Sequence, residues 1–269
     1  MKNFESKVVV ITGAGSGIGR ALALEFIKLR AKLAINDNNE AALLETVDVL
    51  GGPDNVFYQS FDVADKTAFY KFAADVIAHY GRVDVVINNA GVAIFKLTAS
   101  EVSIEDYEWI LGINLWGMMY GSLAFLPHLR KQKESSIVNV SSIFGMLGFP
   151  NQVPYCTTKF AIRGFTESLA LEERMLKTGV AVTSVHPGGI KTNIARSARY
   201  AGNDEKAIAL VETSFITTPE KAARTIISGI QRKKMRVMVG PDAKLLYLLT
   251  RLSPKFVAWY LVRFASQWK

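Results

Sequence analysis

Cysteine is almost absent from this chain: Cys156 stands alone among 269 residues. One thiol cannot close an intrachain disulfide, so a stapled, oxidised scaffold is excluded as the basis of the fold. No uninterrupted apolar run reaches the roughly 18 residues that a bilayer span needs. The opening segment, Met1-Lys2-Asn3-Phe4-Glu5-Ser6-Lys7, lacks the apolar stretch of a secretory signal, so a cytoplasmic location is expected. Histidine is scarce too. His79, His128 and His186 lie far apart without metal-ligand spacing, and no metal is expected. Repeats, low-complexity runs and Pro/Gly/Ser linkers are missing. Acidic charge is depleted in one place. From Gln231 to Lys269 there are nine Lys or Arg and a single acid, Asp242, so this segment carries the whole net charge of +8. The basic excess therefore belongs to the tail and not to the core, and nucleic acid is not an expected partner.

What the chain does have is the composition of an ordinary globular protein, 49% hydrophobic and 21% charged, and enough length to bury a large core. Short apolar runs alternate with longer segments of helical period. Strands are expected at Val8–Ile11, Lys32–Asn36, Val56–Tyr58, Val83–Asn88, Ser136–Val140, Ala181–His186 and Arg236–Val239. Helices are expected at about Gly17–Leu29, Glu40–Leu50, Asp65–Tyr80, Ile104–Gln132, Tyr155–Thr178 and Pro219–Gln231. Such alternation demands parallel strands joined by crossover helices, hence a doubly wound α/β sheet of the Rossmann type. Continuous apolar strands agree, because that sheet is covered on both faces. Residues 190–218 read as irregular, a candidate mobile lid. One dinucleotide-binding domain, 1–240, is followed by a basic amphipathic helical extension, 241–269.

The first strand ends in Thr12-Gly13-Ala14-Gly15-Ser16-Gly17-Ile18-Gly19, where a helix begins. Glycines there let the backbone approach a pyrophosphate, while free amides at the helix start face its charge. The strict G-x-G-x-x-G spacing is replaced by T-G-x-x-x-G-x-G. Asp37, closing the second strand, can accept hydrogen bonds from an adenosine ribose and would repel a 2′-phosphate. Asn38, Asn39 and Ser16 are uncharged, so NAD is favoured over NADP. Asp62, with Val63 beside it, follows the third strand and can reach an adenine edge.

Tyr155 and Lys159 share a helix face at i, i+4. A lone Tyr-x-x-x-Lys means little, but Ser142 follows the fifth strand at the carboxyl edge, where open α/β sheets bind ligands, and Tyr155 comes thirteen positions later. From Lys7 to Val239 the chain resembles the short-chain dehydrogenase/reductase family. The matching motifs, in order, are Thr12-Gly13…Gly17-Ile18-Gly19, Asn88-Asn89-Ala90-Gly91, Asn114, Ser142, Tyr155…Lys159 and Pro187-Gly188…Thr192. The resemblance implies an NAD(H)-linked interconversion of an alcohol and a carbonyl compound. Tyr155 would give or take the proton, and Lys159 would lower its pKa and hold the nicotinamide ribose. Ser142 would hydrogen-bond the substrate oxygen, and Asn114 would hold a water in a proton relay to Lys159. Asn89, Ala90 and Gly91 would support the adenosine side. Pro187, Gly188, Ile190 and Thr192 would contact the carboxamide and pyrophosphate. Dimers or tetramers are implied as well.

The residues after Ser142, namely Ile143, Phe144, Met146, Leu147 and Phe149, are expected with Val92–Phe95 and the lid to line an apolar substrate space. They can equally pack against core or a subunit. An apolar lining suits a lipophilic alcohol or ketone: a steroid, retinoid, long-chain or aromatic compound. In the tail, Lys244–Leu249 and Phe256–Phe264 read as two helices, with Ser253 and Pro254 starting the second. Residues 244–269 resemble an in-plane membrane anchor, or pack on a neighbouring subunit. A catalytically weak scaffold or redox sensor on the same fold is the alternative to an enzyme.

Overall fold

A computed structural model describes residues 1, 3–95, 97–200 and 205–265. The parts of the expected lid at 201–204 and of the tail at 266–269 lie outside the described residues. In chain order the elements are β1 (Val8–Thr12), α1 (Gly17–Lys28), β2 (Lys32–Asp37), α2 (Glu40–Val49), β3 (Val56–Ser60), α3 (Lys66–Tyr80), β4 (Val85–Asn88) and β5 (Ile94–Phe95). Then come α4 (Ile104–Leu111), α5 (Met118–Leu129), β6 (Ser135–Val140), α6 (Val153–Met175), β7 (Val180–Pro187), β8 (Arg199–Tyr200) and α7 (Glu205–Thr213). The chain finishes with α8 (Pro219–Gln231), β9 (Arg236–Val239), α9 (Pro241–Leu252) and α10 (Pro254–Ala265).

Seven strands form one parallel sheet in the order β3-β2-β1-β4-β6-β7-β9. Period-two alternation sends successive side chains to opposite faces. Thus Val9 and Ile11 join the core beneath α1, α2 and α8, while Val8 and Val10 join the core beneath α3, α5 and α6. Phe26 anchors the first core, and Phe69, Phe72 and Phe125 anchor the second, all fully buried. Truncating any of them to alanine would cost about 3–5 kcal/mol. Side-chain oxygens of Asn39, Asp65, Ser103 and Thr218 accept from the amides that open α2, α3, α4 and α8. Each such cap is worth about 1 kcal/mol. The chain order reverses between β1 and β4, and the crevice at that switch point lies outside the strands' carboxyl ends.

Two expectations change. The long helix from Ile104 is continuous to Leu129 but carries a π turn at Gly112–Gly117, placing Asn114 in a widened stretch. By length and composition this helix is apolar enough to cross a membrane, although polar residues interrupt its apolar run. More than half of its apolar window is buried, because it packs against α3, α6, β4 and β6, so it is a core helix. Residues 190–218 are not irregular throughout. β8 pairs in parallel with β5, and α7 packs Ile208 and Val211 on Ala195 and Phe215. Arg199 pins this segment to α4, pairing with Asp106 and lying 3.8 Å from the Trp109 ring centroid. The signals were short: two-residue strands and one nine-residue helix fall below what hydrophobic periodicity resolves.

Candidate active site

The turn after β1 is held by the turn after β4. Thr12 Oγ1 accepts the backbone N–H groups of Asn89 and Ala90 at 3.1 Å. The Asn89 side chain donates back to the carbonyls of Thr12 and Gly13, at 2.9 and 3.1 Å. Gly13 has φ +65, and a Cβ there would lie 2.8 Å from Ala90 Cα, so only glycine lets the two turns meet. Sequence reasoning placed Asn89 and Ala90 at the site but gave Thr12 no role. Its hydroxyl is what binds the two segments.

Ser16 precedes α1 without capping it through its side chain, and is exposed. The first amides of α1, from Gly17 and Ile18, therefore lack a side-chain acceptor from that cap and suit an anion. Asp37 sits where expected. Its carboxylate accepts from Gly15 N at 2.8 Å and Asn39 N at 2.9 Å, and keeps lone pairs for a further donor. Arg20, the nearby cation on α1, is turned to Thr46, the Ala42 carbonyl and Glu45. Asp62 is exposed and accepts from Ala64 N, while Val63 is buried against Gly117 of the π turn. The Thr192 methyl lies against Gly17, so the turn after β7 closes over the start of α1. Free helix-start amides, a glycine-lined approach and a carboxylate at the end of β2 together fit a dinucleotide.

The catalytic candidates converge. Ser142, extended and 7% exposed, follows β6, and its hydroxyl accepts from Phe144 N. It also hydrogen-bonds the Tyr155 phenol. Lys159 Nζ lies 5.3 Å from the Tyr155 ring centroid and donates to the Val140 carbonyl at 3.2 Å. Burial pushes the Tyr155 phenol up to about 12, against the Ser142 hydrogen bond, and pushes the Lys159 ammonium down to about 8. The expectation that Lys159 lowers Tyr155 is corrected for this arrangement. Desolvation sets the direction, and the Lys159 ammonium is bonded to the Val140 carbonyl. Asn114 sits beside this pair, in the π turn. Its side chain clamps Val92, accepting from the backbone N–H at 2.8 Å and donating to the carbonyl at 2.9 Å, and reaches Thr158 at 3.1 Å. That leaves its backbone, in the π turn, as the part that can serve a relay. Gly91 lies beside both Asn114 and Lys159.

Several supports were not singled out from sequence. Ser141 Oγ donates to the Lys159 carbonyl at 2.7 Å, tying β6 to α6. His186, read as structural, is fully buried, its Nδ1 2.9 Å from the Ser142 carbonyl and its Nε2 2.8 Å from Ser184 Oγ. A carbonyl only accepts, so Nδ1 carries the proton. Burial holds His186 down at about 4, hence neutral. Asp242, in the first turn of α9, accepts from Gly189 N at 2.7 Å. A Cβ on Gly188 would come within 2.0 Å of that carboxylate, so Gly188 makes room for it. Pro187 is paired with Val239, and Ile190 is buried and bridged to Thr217.

Around Tyr155 the walls are apolar. Phe144 meets its ring edge-on at 6.3 Å and stacks on Phe149 at 4.9 Å. Ala93, Ile94 and Phe95 join the same cluster. Ile143 and Leu147 turn the other way, into a cluster with Ala243, Val257 and Leu261 of α9 and α10. The loop after Ser142 thus faces the phenol on one side and the tail on the other. Beside it an apolar hollow is lined by Phe95, Phe149, Pro150, Val211 and Ala265. Cys156 is buried, and burial pushes its thiol up, away from a reactive thiolate.

Residues 7–202 match the sequence pattern of the short chain dehydrogenases. SadH of Mycobacterium tuberculosis, which carries the name of an oxidoreductase, is 43% identical over 94% of this chain and 92% of its own length. A protein named 11-beta-hydroxysteroid dehydrogenase 1A from Arabidopsis thaliana is 31% identical over 96% of this chain and 75% of its own. Among solved structures, a short chain dehydrogenase/reductase from Burkholderia phymatum in complex with NAD superposes with a TM-score of 0.87 at 27% identity, covering 95% of this chain and 96% of that one.

Proposed function

As a member of the short-chain dehydrogenase/reductase family, this chain is an oxidoreductase, and we propose that it interconverts a lipophilic alcohol and its carbonyl compound with NAD(H). One observation carries the reading: Ser142, Tyr155 and Lys159 meet at the crevice of the sheet, against an apolar wall. Bound nicotinamide supplies the hydride donor or acceptor. The chain handles the proton and the orientation. In reduction the Tyr155 O–H donates to the carbonyl oxygen as that oxygen gains charge. In oxidation the phenolate takes the alcohol proton. A phenol held at about 12 is fully protonated at neutral pH, which suits the donor role. An ammonium held at about 8 stays mostly charged there and stabilises the phenolate when it forms. The Ser142 hydroxyl donates to the same substrate oxygen.

Asp37 supports the choice of NAD over NADP, since a second negative group beside its carboxylate would be repelled and Arg20, the nearby cation, is turned to Glu45. Phe144, Phe149 and Ile94 support a lipophilic substrate. A homo-oligomer is also proposed, through the apolar residues that α5 and α6 leave exposed, Leu123, Phe160, Leu171 and Met175. Light scattering checks that. The reaction is tested with a panel of lipophilic alcohols with NAD and ketones with NADH, Tyr155→Phe serving as the blank. Turnover abolished by the substitution supports the reading. A variant as fast as the parent sinks it.

A further inference from the structure

We propose that the outer face of α9 and α10 docks on an anionic membrane surface. The two helices are held to the body of the protein by their inner faces. Ala243, Val257 and Leu261 are buried against Ile143 and Leu147. Asp242 is bonded to Gly189, and Tyr247 accepts from Arg236 at 2.8 Å. Their outer faces are consequently fixed outward. On α9, Leu245, Leu248 and Leu252 are 57%, 53% and 71% exposed at helical spacing. On α10, Phe256, Trp259 and Val262 are 49%, 60% and 62% exposed, and Phe256 and Trp259 touch at 6.0 Å. Exposed cations are interleaved with them: Lys244 and Arg251 on α9, Lys255 on α10.

Charge decides between occupants. α9 and α10 hold four cations, Lys244, Arg251, Lys255 and Arg263, against one acid, Asp242, which is turned inward to Gly189. A second copy seated on this face by a two-fold axis would set that surplus against itself with no acid to answer it. An anionic lipid surface answers the cations, and the acyl boundary accepts the leucines, while tryptophan favours the interface between the two. The apolar hollow lined by Phe149 and Ala265 lies at the end of α10, which sets the docked face beside the wall proposed for the lipophilic substrate. This last step rests on the lipophilic substrate proposed above. The docking does not.

The test uses the full chain and vesicles of phosphatidylcholine, alone or mixed in equal parts with phosphatidylglycerol. Binding is read by co-sedimentation with neither substrate nor turnover, so a failed substrate panel would leave the result standing. The parent is expected to sediment with the mixed vesicles and not with pure phosphatidylcholine, and raised salt should weaken it. The pair Lys244→Glu with Lys255→Glu, and separately the pair Leu248→Ser with Trp259→Ser, should each weaken binding by about tenfold or more. NADH fluorescence should show both variants folded, since none of the four side chains touches the crevice. A parent that stays in the supernatant overturns the proposal. So do variants that bind vesicles as the parent does, and so does a dimer, seen by light scattering, that dissociates on these substitutions while vesicle binding persists.

Discussion

The two sides of the crevice, one proposed for the coenzyme and the other for the substrate, are built from different materials. On the coenzyme side, short polar side chains hold backbone. The Thr12 hydroxyl and the Asn89 carboxamide knit two turns by their main-chain groups, and the Asp37 carboxylate takes the amides of Gly15 and Asn39. On the substrate side, apolar side chains gather from distant segments: Ile94, Phe144, Phe149, Val211 and Ala265. A backbone-lined site is set by a few glycines and polar caps and leaves little room to vary. A side-chain-lined one can change its occupant by substitution without disturbing the sheet. Tyr155 stands at the boundary, its ring in the apolar cluster and its phenol bonded to Ser142.

The largest effect should come from that boundary. Tyr155→Phe removes the proton donor while keeping the ring's packing, and should lower turnover by about 10²–10⁴-fold. NADH affinity, measured by fluorescence titration, should change little. If coenzyme affinity collapses too, the two sides are not separable as described. Next in size is Asp37→Ala, which touches only the coenzyme side. It removes a charged acceptor and strands the Gly15 amide, so NAD affinity should fall by about tenfold or more. Preference over NADP should narrow as the repelling charge disappears. Equal NAD affinity in variant and parent would remove Asp37 from the site.

The contrast also explains what could be read in advance. The sheet, its parallel topology and the turns that meet at its carboxyl edge were legible, because each is written locally. An apolar run makes a strand, and Gly13 to Gly19 make an anion-binding turn within one βα unit. The convergence of Ser142, Tyr155 and Lys159 followed from position at the carboxyl edge. The substrate side was not legible to the same degree. Nothing local in Ile143 or Leu147 says that they face α9 and α10 while Phe144 faces Tyr155. Asn114 was placed at the site, yet its clamp on Val92 depends on a π turn that periodicity does not reveal. Burial of Tyr155 reverses the direction expected from its charged neighbour, and burial is a property of the assembled fold.

Asp242 joins the two sides, and it supplies the third test. It belongs to the tail, yet its carboxylate holds Gly189 in the turn whose Thr192 lies against Gly17. Asp242→Ala leaves the Gly189 amide without that acceptor, a loss of about 1–3 kcal/mol. If the tail positions the coenzyme turn, KM for NAD should rise several-fold while the chemical step at Tyr155 is nearly unchanged. A loss confined to turnover, with KM for NAD intact, would assign Asp242 to the substrate side instead.

The smallest effect is expected at His186, which supports Ser142 through its carbonyl. Its imidazole is neutral because burial holds it down at about 4, against 6.5 for an unburied histidine. Between those two values the unfolded chain binds a proton that the folded chain does not. Stability from this group is therefore complete above pH 6.5 and is lost as pH falls towards 4. By pH 6 the loss should be on the order of 1 kcal/mol, measured by urea unfolding against the value at pH 8. His186→Asn can still donate to the Ser142 carbonyl, but it has no proton to gain in this range. The variant should be less stable throughout, because its side chain is smaller, yet its stability should fall less than the parent's between pH 8 and pH 6. Parallel pH profiles for the two proteins would show that the imidazole is not the group that acid attacks first. The Ser142 carbonyl would then have to be held by contacts other than the one seen here.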